Sequence, residues 1–184
     1  MFDADRYEVR QKALSVGNEY TVSEGPDGAT EPILSAKQKL LRAKEDFRFT
    51  DPESDESLFR VTTDQILDLK ASYQVVDEQT DEVLGAIERE SYGFLRQEWG
   101  LVGPDGDRLA TVTEDSLAKS LFRRHVTGLL PVAFEVRGPD GGGVRATVDG
   151  SLSIRDHYTI EVHDDLDPRL VVIASVVVDA IEAN

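Results

Sequence analysis

The sequence predicts an all-β fold, a closed antiparallel barrel of about twelve strands that encloses one buried C-terminal α-helix. Three observations support this prediction. A hairpin pattern recurs along most of the chain, and the segment that follows the last hairpin is apolar on nearly every side. The length of 184 residues, 40% of them apolar, suits one well-buried core rather than two. We therefore expect a single domain over residues 1–184.

The hairpin pattern starts with an aromatic residue, continues into a polar turn rich in Asp, Gly or Pro, and returns with apolar residues. Its copies begin at Tyr20, Phe47, Tyr73, Trp99 and Phe134. Period-two alternation is typical of strands, and Pro-Asp-Gly supplies a tight turn in which glycine takes the positive φ. With an opening strand near residues 7–10 and a closing strand over 157–162, the meander is long enough that it must close to protect its edges.

The C-terminal segment is predicted to fill the bore of this barrel as a helix over residues 168–182. Asp167 is a good N-cap, Pro168 suits the first helical position, and residues 169–181 are almost entirely apolar. A helix that is apolar all round must be buried all round, and its diameter of about 10 Å fits the bore. The many valines favour a thirteenth strand as the alternative, but the length and the Asp-Pro start favour the helix.

A second, shorter helix is predicted over residues 116–126, between two hairpins. Leu117, Leu121, Phe122 and His125 recur there at spacings of three and four, with Asp115 or Ser116 as the cap.

The charge of the chain is strongly negative. There are 36 Asp and Glu residues against 20 Lys and Arg, which gives a net charge of −16. We interpret this acidic, lysine-poor composition as an adaptation to a salt-rich cytoplasm, such as that of a halophile; an ordinary acidic protein is the alternative. In either case the charge argues against nucleic acid as a partner.

The absence of cysteine excludes disulfides, thiolate catalysis and metal sites built on cysteine. The first residues lack the basic start and apolar run of a secretory signal, and no apolar run approaches the roughly 20 residues that span a bilayer. We therefore expect a cytoplasmic protein that is not transmembrane.

Several segments, taken in order, resemble the LURP-one-related family. They are Tyr7–Ser15, Tyr20–Val22, Leu40-Leu41 before Phe47–Phe49, Leu84–Arg89, Arg155–Val162, Asp165–Pro168 and Val176–Ile181. The resemblance covers nearly the whole chain and implies the Tubby C-terminal-like fold, a twelve-stranded barrel around a central helix, which phospholipid scramblases and Tubby proteins share. Tubby proteins bind phosphoinositides and scramblases are tied to lipid movement, but this fold does not determine function. The chain also lacks the cysteine-rich palmitoylation tract typical of scramblases, which argues against lipid scrambling.

One basic cluster is the candidate binding site of the sequence. It consists of Lys37, Lys39, Arg42, Lys44 and Arg48, with the two lysines expected on one face of a strand. By analogy with Tubby proteins the cluster is a site for an anion or a lipid headgroup. The simpler interpretation, which the sequence favours, is a set of solvated side chains that neutralise Glu45, Asp46 and Asp51.

No catalytic, cofactor or metal site is indicated. His157 and His163 fall on one face of the last predicted strand, but about 20 Å of strand separates them, so they cannot share a metal ion. The leading hypothesis is a non-enzymatic binding or scaffold module with a phospholipid or protein partner. The alternative is a small-molecule carrier or an enzyme with a pocket at one mouth of the barrel, which needs a cavity beside the helix.

Overall fold

The structure is a computed structural model that describes residues 1–13, 18–25, 31–37, 47–66, 70–91, 97–113, 133–150, 157–163 and 165–182. Within these ranges it contains twelve β-strands and one α-helix, α1 (Pro168–Glu182). The strands are β1 (Arg6–Ala13), β2 (Asn18–Glu24), β3 (Pro32–Lys37), β4 (Phe47–Thr50), β5 (Ser57–Ile66), β6 (Lys70–Asp77), β7 (Glu82–Ser91), β8 (Gln97–Val102), β9 (Arg108–Thr113), β10 (Ala133–Arg137), β11 (Val144–Gly150) and β12 (His157–Val162).

The strands form a closed antiparallel barrel. Each pairs with its neighbours in sequence, and β12 pairs with β1 to close the sheet, with Arg6 opposite Glu161 and Arg10 opposite His157. Closure removes both sheet edges, which explains why a meander of this length is stable. The predicted twelve-stranded barrel with a C-terminal helix is confirmed.

The inner face of the wall follows the period-two pattern of the hairpins. On β12, for example, Tyr158, Ile160 and Val162 are buried, whereas the residues between them are only half-buried. Because successive side chains on a strand point to opposite faces, one face of each hairpin lines the bore and the other faces outward.

Helix α1 fills the bore. Every residue from Leu170 to Ala180 is at most 5% exposed, and the one hydroxyl among them, Ser175 Oγ, donates to the carbonyl oxygen of Val171 at 2.8 Å. Burial on all sides therefore overrides the β-propensity of the valines, and the thirteenth-strand alternative is wrong. Among the described residues, no helix combines the length and apolarity that crossing a bilayer requires.

The start of α1 is built as the sequence predicts. Asp167 caps the helix, because its Oδ1 accepts from the backbone N–H of Arg169 at 2.9 Å. Close by, a bulge in β7 places Gly85 at φ +151°, where a Cβ atom would lie 2.3 Å from the carbonyl oxygen of Val102 and 3.0 Å from Leu170 Cδ2. Only glycine lets the wall and the helix approach this closely.

The two ends of the barrel differ in what they carry. Antiparallel order places the turns after β4, β6, β8 and β10 at the end where α1 begins, which we call the upper end. The last residue of β3 and the first residue of β4 lie at the opposite, lower end. The short helix predicted over 116–126 lies outside the described residues.

Candidate anion-binding surface

Two members of the basic cluster lie on the outer wall of the barrel at its lower end. Lys37 is the last residue of β3, and Arg48 is the second residue of β4. Both side chains are exposed, and Arg48 points outward because its neighbours Phe47 and Phe49 are buried in the core. Lys39, Arg42 and Lys44 lie outside the described residues. The prediction that Lys37 and Lys39 share one face of a strand therefore stays a prediction.

Strand register places a lysine on each side of Glu19. In the pairing of β1 with β2, Lys12 lies opposite Glu19, and in the pairing of β2 with β3, Glu19 lies opposite Lys37. The Lys37 Nζ atom is 3.8 Å from Glu19 Oε1. The three side chains therefore lie side by side along the hydrogen-bonding direction of the sheet.

The same row continues across two further strands. The pairing of β3 with β4 ends with Ala36 opposite Phe49, so the next residues, Lys37 and Arg48, lie side by side on the outer face just beyond the last pair. In the pairing of β4 with β5, Arg48 lies directly opposite Arg60. We call Lys12, Glu19, Lys37, Arg48 and Arg60 the basic row. Because adjacent strands are about 4.8 Å apart, the row extends over roughly 19 Å of the outer wall.

A second row of polar side chains runs beside the basic row, one step higher on the outer face. It consists of His157, Arg10, Thr21, Ser35 and Thr50, which face one another through four successive strand pairings. We call this the hydroxyl row. Within it Arg10 is 62% exposed, and the described residues contribute no carboxylate to the row itself.

Arg48 differs from Arg60 and Arg137, two other arginines of the outer wall. Among the described residues, no carboxylate oxygen lies within 4.0 Å of its guanidinium group. Elsewhere on the wall Arg137 is 2.7 Å from Glu135, and in the basic row itself Arg60 Nε is 3.0 Å from Glu78 Oε1. Arg48 thus lies opposite another cation, an arrangement that destabilises a sheet; Glu78 offsets the charge of Arg60, and no described carboxylate does the same for Arg48.

Of the three carboxylates expected to neutralise the cluster, Asp51 is the one that lies among the described residues. Asp51 Oδ1 accepts hydrogen bonds from the backbone N–H groups of Glu53 and Ser54, at 2.9 and 2.8 Å, and these bonds lower the pKa of Asp51. Asp51 therefore stabilises its own turn. Glu45 and Asp46 lie outside the described residues.

A buried carboxylate lies at one end of the hydroxyl row. The side chain of Glu8 is 6% exposed, and its Oε2 atom is 3.3 Å from His157 Nε2 and 3.8 Å from Arg10. His163 lies just beyond the end of β12. Among the described residues, no group of three or more His, Cys, Asp or Glu side chains is placed to hold a metal ion.

Polar side chains also occur inside the barrel near its lower end. Gln11 Nε2 donates to Tyr20 Oη at 3.1 Å, and Asp179 of α1 is 3% exposed. Burial, and next to it the charge of Asp179, raises the pKa of Tyr158 well above its ordinary value. These groups lie around the end of a buried helix and therefore do not extend the candidate surface of the outer wall.

The sequence model of the LURP-one-related family matches residues 33–179, which is most of the chain. The chain belongs to the LURP-one-related family. No curated protein matches it significantly. Its fold is similar to that of a protein of Arabidopsis thaliana solved by X-ray crystallography, with a TM-score of 0.58, 12% sequence identity and coverage of 98% of this chain and 94% of the plant protein.

The likeness to the plant protein concerns the fold alone at this level of identity. The basic row of this LURP-one-related chain is therefore defined by its own residues and their register. Lys37 and Arg48 belong to the cluster predicted from the sequence, whereas Lys12, Glu19 and Arg60 were not predicted. Their outward position was readable from the alternation of each strand, but their proximity depends on a register between strands that the sequence does not display.

Proposed function

We propose that this chain is a non-enzymatic binding module, and that its outer wall across β1–β5 binds anionic phospholipid headgroups. The observation that carries the proposal is the succession of Lys37, Arg48 and Arg60 on three consecutive strands. Two like charges directly opposite each other cost stability in a sheet. A bound anion offsets that cost, and phosphate is the anion that arginine binds best, through paired hydrogen bonds.

The hydroxyl row supplements the basic row with neutral donors. Thr21 and Ser35 are half-buried at the wall, within one pleat of the cations, whereas the Thr50 hydroxyl donates to the carbonyl oxygen of Ser35 at 3.5 Å. Hydroxyl groups donate hydrogen bonds to phosphate oxygens without adding charge. A phosphate placed between the two rows would therefore meet cations on one side and hydroxyl donors on the other.

The net charge of −16 does not prevent this binding. At about 0.1 M salt the Debye length is about 10 Å, so carboxylates farther away are largely screened. The basic row itself carries four cations and one carboxylate, with Glu78 beside Arg60 as a second. An anion close to the wall therefore experiences a locally positive field.

The shape and composition of the wall favour a surface contact. Among the described residues, the one large apolar side chain that is exposed is Met1, at 54%. A protein that inserts into a bilayer needs an exposed apolar face, whereas electrostatic attachment to headgroups needs cations alone. Because the cytoplasmic leaflet carries the anionic lipids, this proposal suits a cytoplasmic protein.

The carrier or enzyme alternative has less support. It needs space beside the helix, whereas α1 is packed by the wall from Leu170 to Ala180. A protein partner with an acidic or phosphorylated segment would use the same cations, and binding to an acidic peptide distinguishes it from a lipid surface.

Flotation with vesicles tests the proposal. Wild-type protein is expected to float with phosphatidylcholine vesicles that contain phosphatidylglycerol, and to lose this association as salt rises from about 0.1 to 1 M. Each basic residue near an anionic surface contributes about 1 kcal/mol, so Arg48→Glu is expected to weaken binding by about tenfold or more.

Arg137→Glu is the matched control, because Arg137 is an arginine of the outer wall that already has a carboxylate partner at 2.7 Å. It is expected to leave flotation unchanged. The proposal is wrong if wild-type protein does not bind anionic vesicles, or if Arg48→Glu and Arg137→Glu weaken vesicle binding equally. Binding of an acidic peptide instead of vesicles would point to the protein partner.

A further inference from the structure

We propose that Glu19 makes the basic row selective for dispersed, singly charged phosphodiester headgroups over a single polyphosphorylated headgroup. The inference rests on the proposed function and names the class of lipid. Its basis is the position of Glu19, which interrupts the row between Lys12 and Lys37. The Lys37 Nζ to Glu19 Oε1 distance is 3.8 Å, and the Glu19 side chain is 26% exposed, so its charge lies at the wall between the two lysines.

The carboxylate divides the row into two parts. Lys12 stands alone on one side, and Lys37, Arg48 and Arg60 follow on the other. Between Lys12 and Arg48 lie three strand spacings, roughly 14 Å. An anion that bridges the parts must therefore pass over the negative charge of Glu19, whereas separate anions can avoid it.

The penalty for passing near Glu19 grows with the charge of the ligand. Coulomb energy is proportional to both charges, so a group of charge −2 or more that lies over Glu19 is repelled by it at least twice as strongly as a phosphodiester of charge −1. From that position it gains in return only the attraction of the cations that it reaches. A polyphosphorylated headgroup concentrates its charge within one such region. Neighbouring phosphodiester headgroups in a bilayer spread the same total charge over several positions.

The curvature of the wall acts in the same direction. The row lies on the outer, convex face of a closed barrel, so its side chains diverge as they extend from the sheet. Diverging cations cannot converge on one small ligand as the walls of a pocket do. They can each contact a different headgroup of an extended surface, which fits a row about 19 Å long.

The test compares two kinds of vesicle at equal total lipid charge, one with phosphatidylglycerol and one with phosphatidylinositol bisphosphate. Wild-type protein is expected to bind the first at least as tightly as the second. In Glu19→Gln, binding to the bisphosphate vesicles is expected to rise by about two- to fivefold relative to phosphatidylglycerol, the range of an exposed ion pair. Inorganic phosphate added in solution at the same total charge is expected to displace neither kind of vesicle.

Two further variants keep the test specific. Glu161→Gln removes a carboxylate that pairs with Arg6 at 3.2 Å elsewhere on the wall. It is expected to leave unchanged the ratio of binding to bisphosphate vesicles over binding to phosphatidylglycerol vesicles. Lys12→Gln is expected to weaken phosphatidylglycerol binding by about two- to fivefold, because it removes the contact on the far side of Glu19. Thermal melting confirms that each variant is folded.

The outcomes separate the two proposals. If wild-type protein binds neither vesicle, the proposed function fails and the selectivity fails with it. If it binds phosphatidylglycerol but Glu19→Gln leaves the ratio unchanged, only the role of Glu19 is overturned. Three other results also overturn the selectivity but leave headgroup binding intact. They are tighter binding of the wild-type protein to the bisphosphate vesicles, displacement by inorganic phosphate, and unchanged phosphatidylglycerol binding in Lys12→Gln.

Discussion

Arg169, in the first turn of α1, donates a hydrogen bond from Nη1 to Oδ2 of Asp77 at the end of β6, at 3.2 Å. The other oxygen of Asp77 accepts from the backbone N–H groups of Gln79 and Thr80, at 2.9 and 3.3 Å. Arg169 is also bound by the cap residue Asp167, and these two carboxylates raise its pKa, Asp167 most strongly. One side chain thus joins the start of the helix to the turn of a hairpin in the wall.

We expect Arg169→Ala to lower the free energy of unfolding by about 1–3 kcal/mol. The substitution leaves the carboxylate of Asp77, which is 7% exposed, with backbone donors alone. Urea denaturation measures the change. Arg137→Ala, which removes a solvent-exposed ion pair with Glu135, should change stability by less than about 1 kcal/mol. Equal losses of stability in the two variants would show that the bond between Arg169 and Asp77 contributes no more than an exposed ion pair.

Gly85→Ala should be among the most damaging single substitutions in the described part of the barrel. The added methyl group would collide with the Val102 carbonyl oxygen and crowd Leu170 of the helix. Strain and overpacking together predict a loss of about 3 kcal/mol or more. Gly106→Ala is the control, because Gly106 also has a positive φ but has nothing within 4 Å of the added atom. The free energy of unfolding of Gly106→Ala should fall by only about 1 kcal/mol. A similar fall in both variants would contradict the close approach of helix and wall at Gly85.

Removal of the Tyr158 hydroxyl should extend the stability of the protein toward alkaline pH. The pKa of Tyr158 is raised in the folded state, so the folded protein keeps this proton at a pH where the unfolded chain loses it. Its contribution is therefore intact below about pH 10 and is lost as pH rises further. We expect Tyr158→Phe to move the alkaline unfolding midpoint, followed by circular dichroism, to higher pH. An unchanged midpoint would show that ionisation of Tyr158 does not drive alkaline unfolding.

Arg48→Gln should separate binding from stability. Relief of the like-charge pair with Arg60 is expected to raise the free energy of unfolding by about 0.2–1 kcal/mol at low salt. The same variant should bind anionic vesicles less tightly. Denaturation and flotation experiments on the same variant test whether stability rises while vesicle binding falls. A loss of stability would mean that Arg48 makes favourable contacts on the wall and is not kept there for an anion.

The salt dependence of stability tests the interpretation of the acidic composition. With a net charge of −16, self-repulsion destabilises the compact state, and about 1 M salt reduces the Debye length to about 3 Å. A protein adapted to a salt-rich cytoplasm should gain several degrees in melting temperature between about 0.1 and 1 M potassium chloride. A melting temperature that is insensitive to salt would support the ordinary acidic protein instead.

Much of the fold was predictable because its signals are local. Period-two alternation depends on side chains two residues apart, and the start of α1 depends on the adjacent Asp167 and Pro168. The valines of α1 gave the opposite local signal, but a segment that is apolar on every side gains more from burial in the bore than it loses in propensity.

The candidate site was predictable only in part, for the same reason. Lys37 and Arg48 stand near each other in sequence, so composition alone revealed them. Lys12 and Arg60 are distant in the chain and join them only through the pairings of β1 to β5.

The sequence by itself determined the barrel, its helix and the outward position of each cation, because neighbours along the chain specify these features. The tertiary structure alone determined that four of these cations and Glu19 form one row. That row depends on how five strands are aligned with one another, and a shift by one residue would turn the side chains of the shifted strand toward the opposite face.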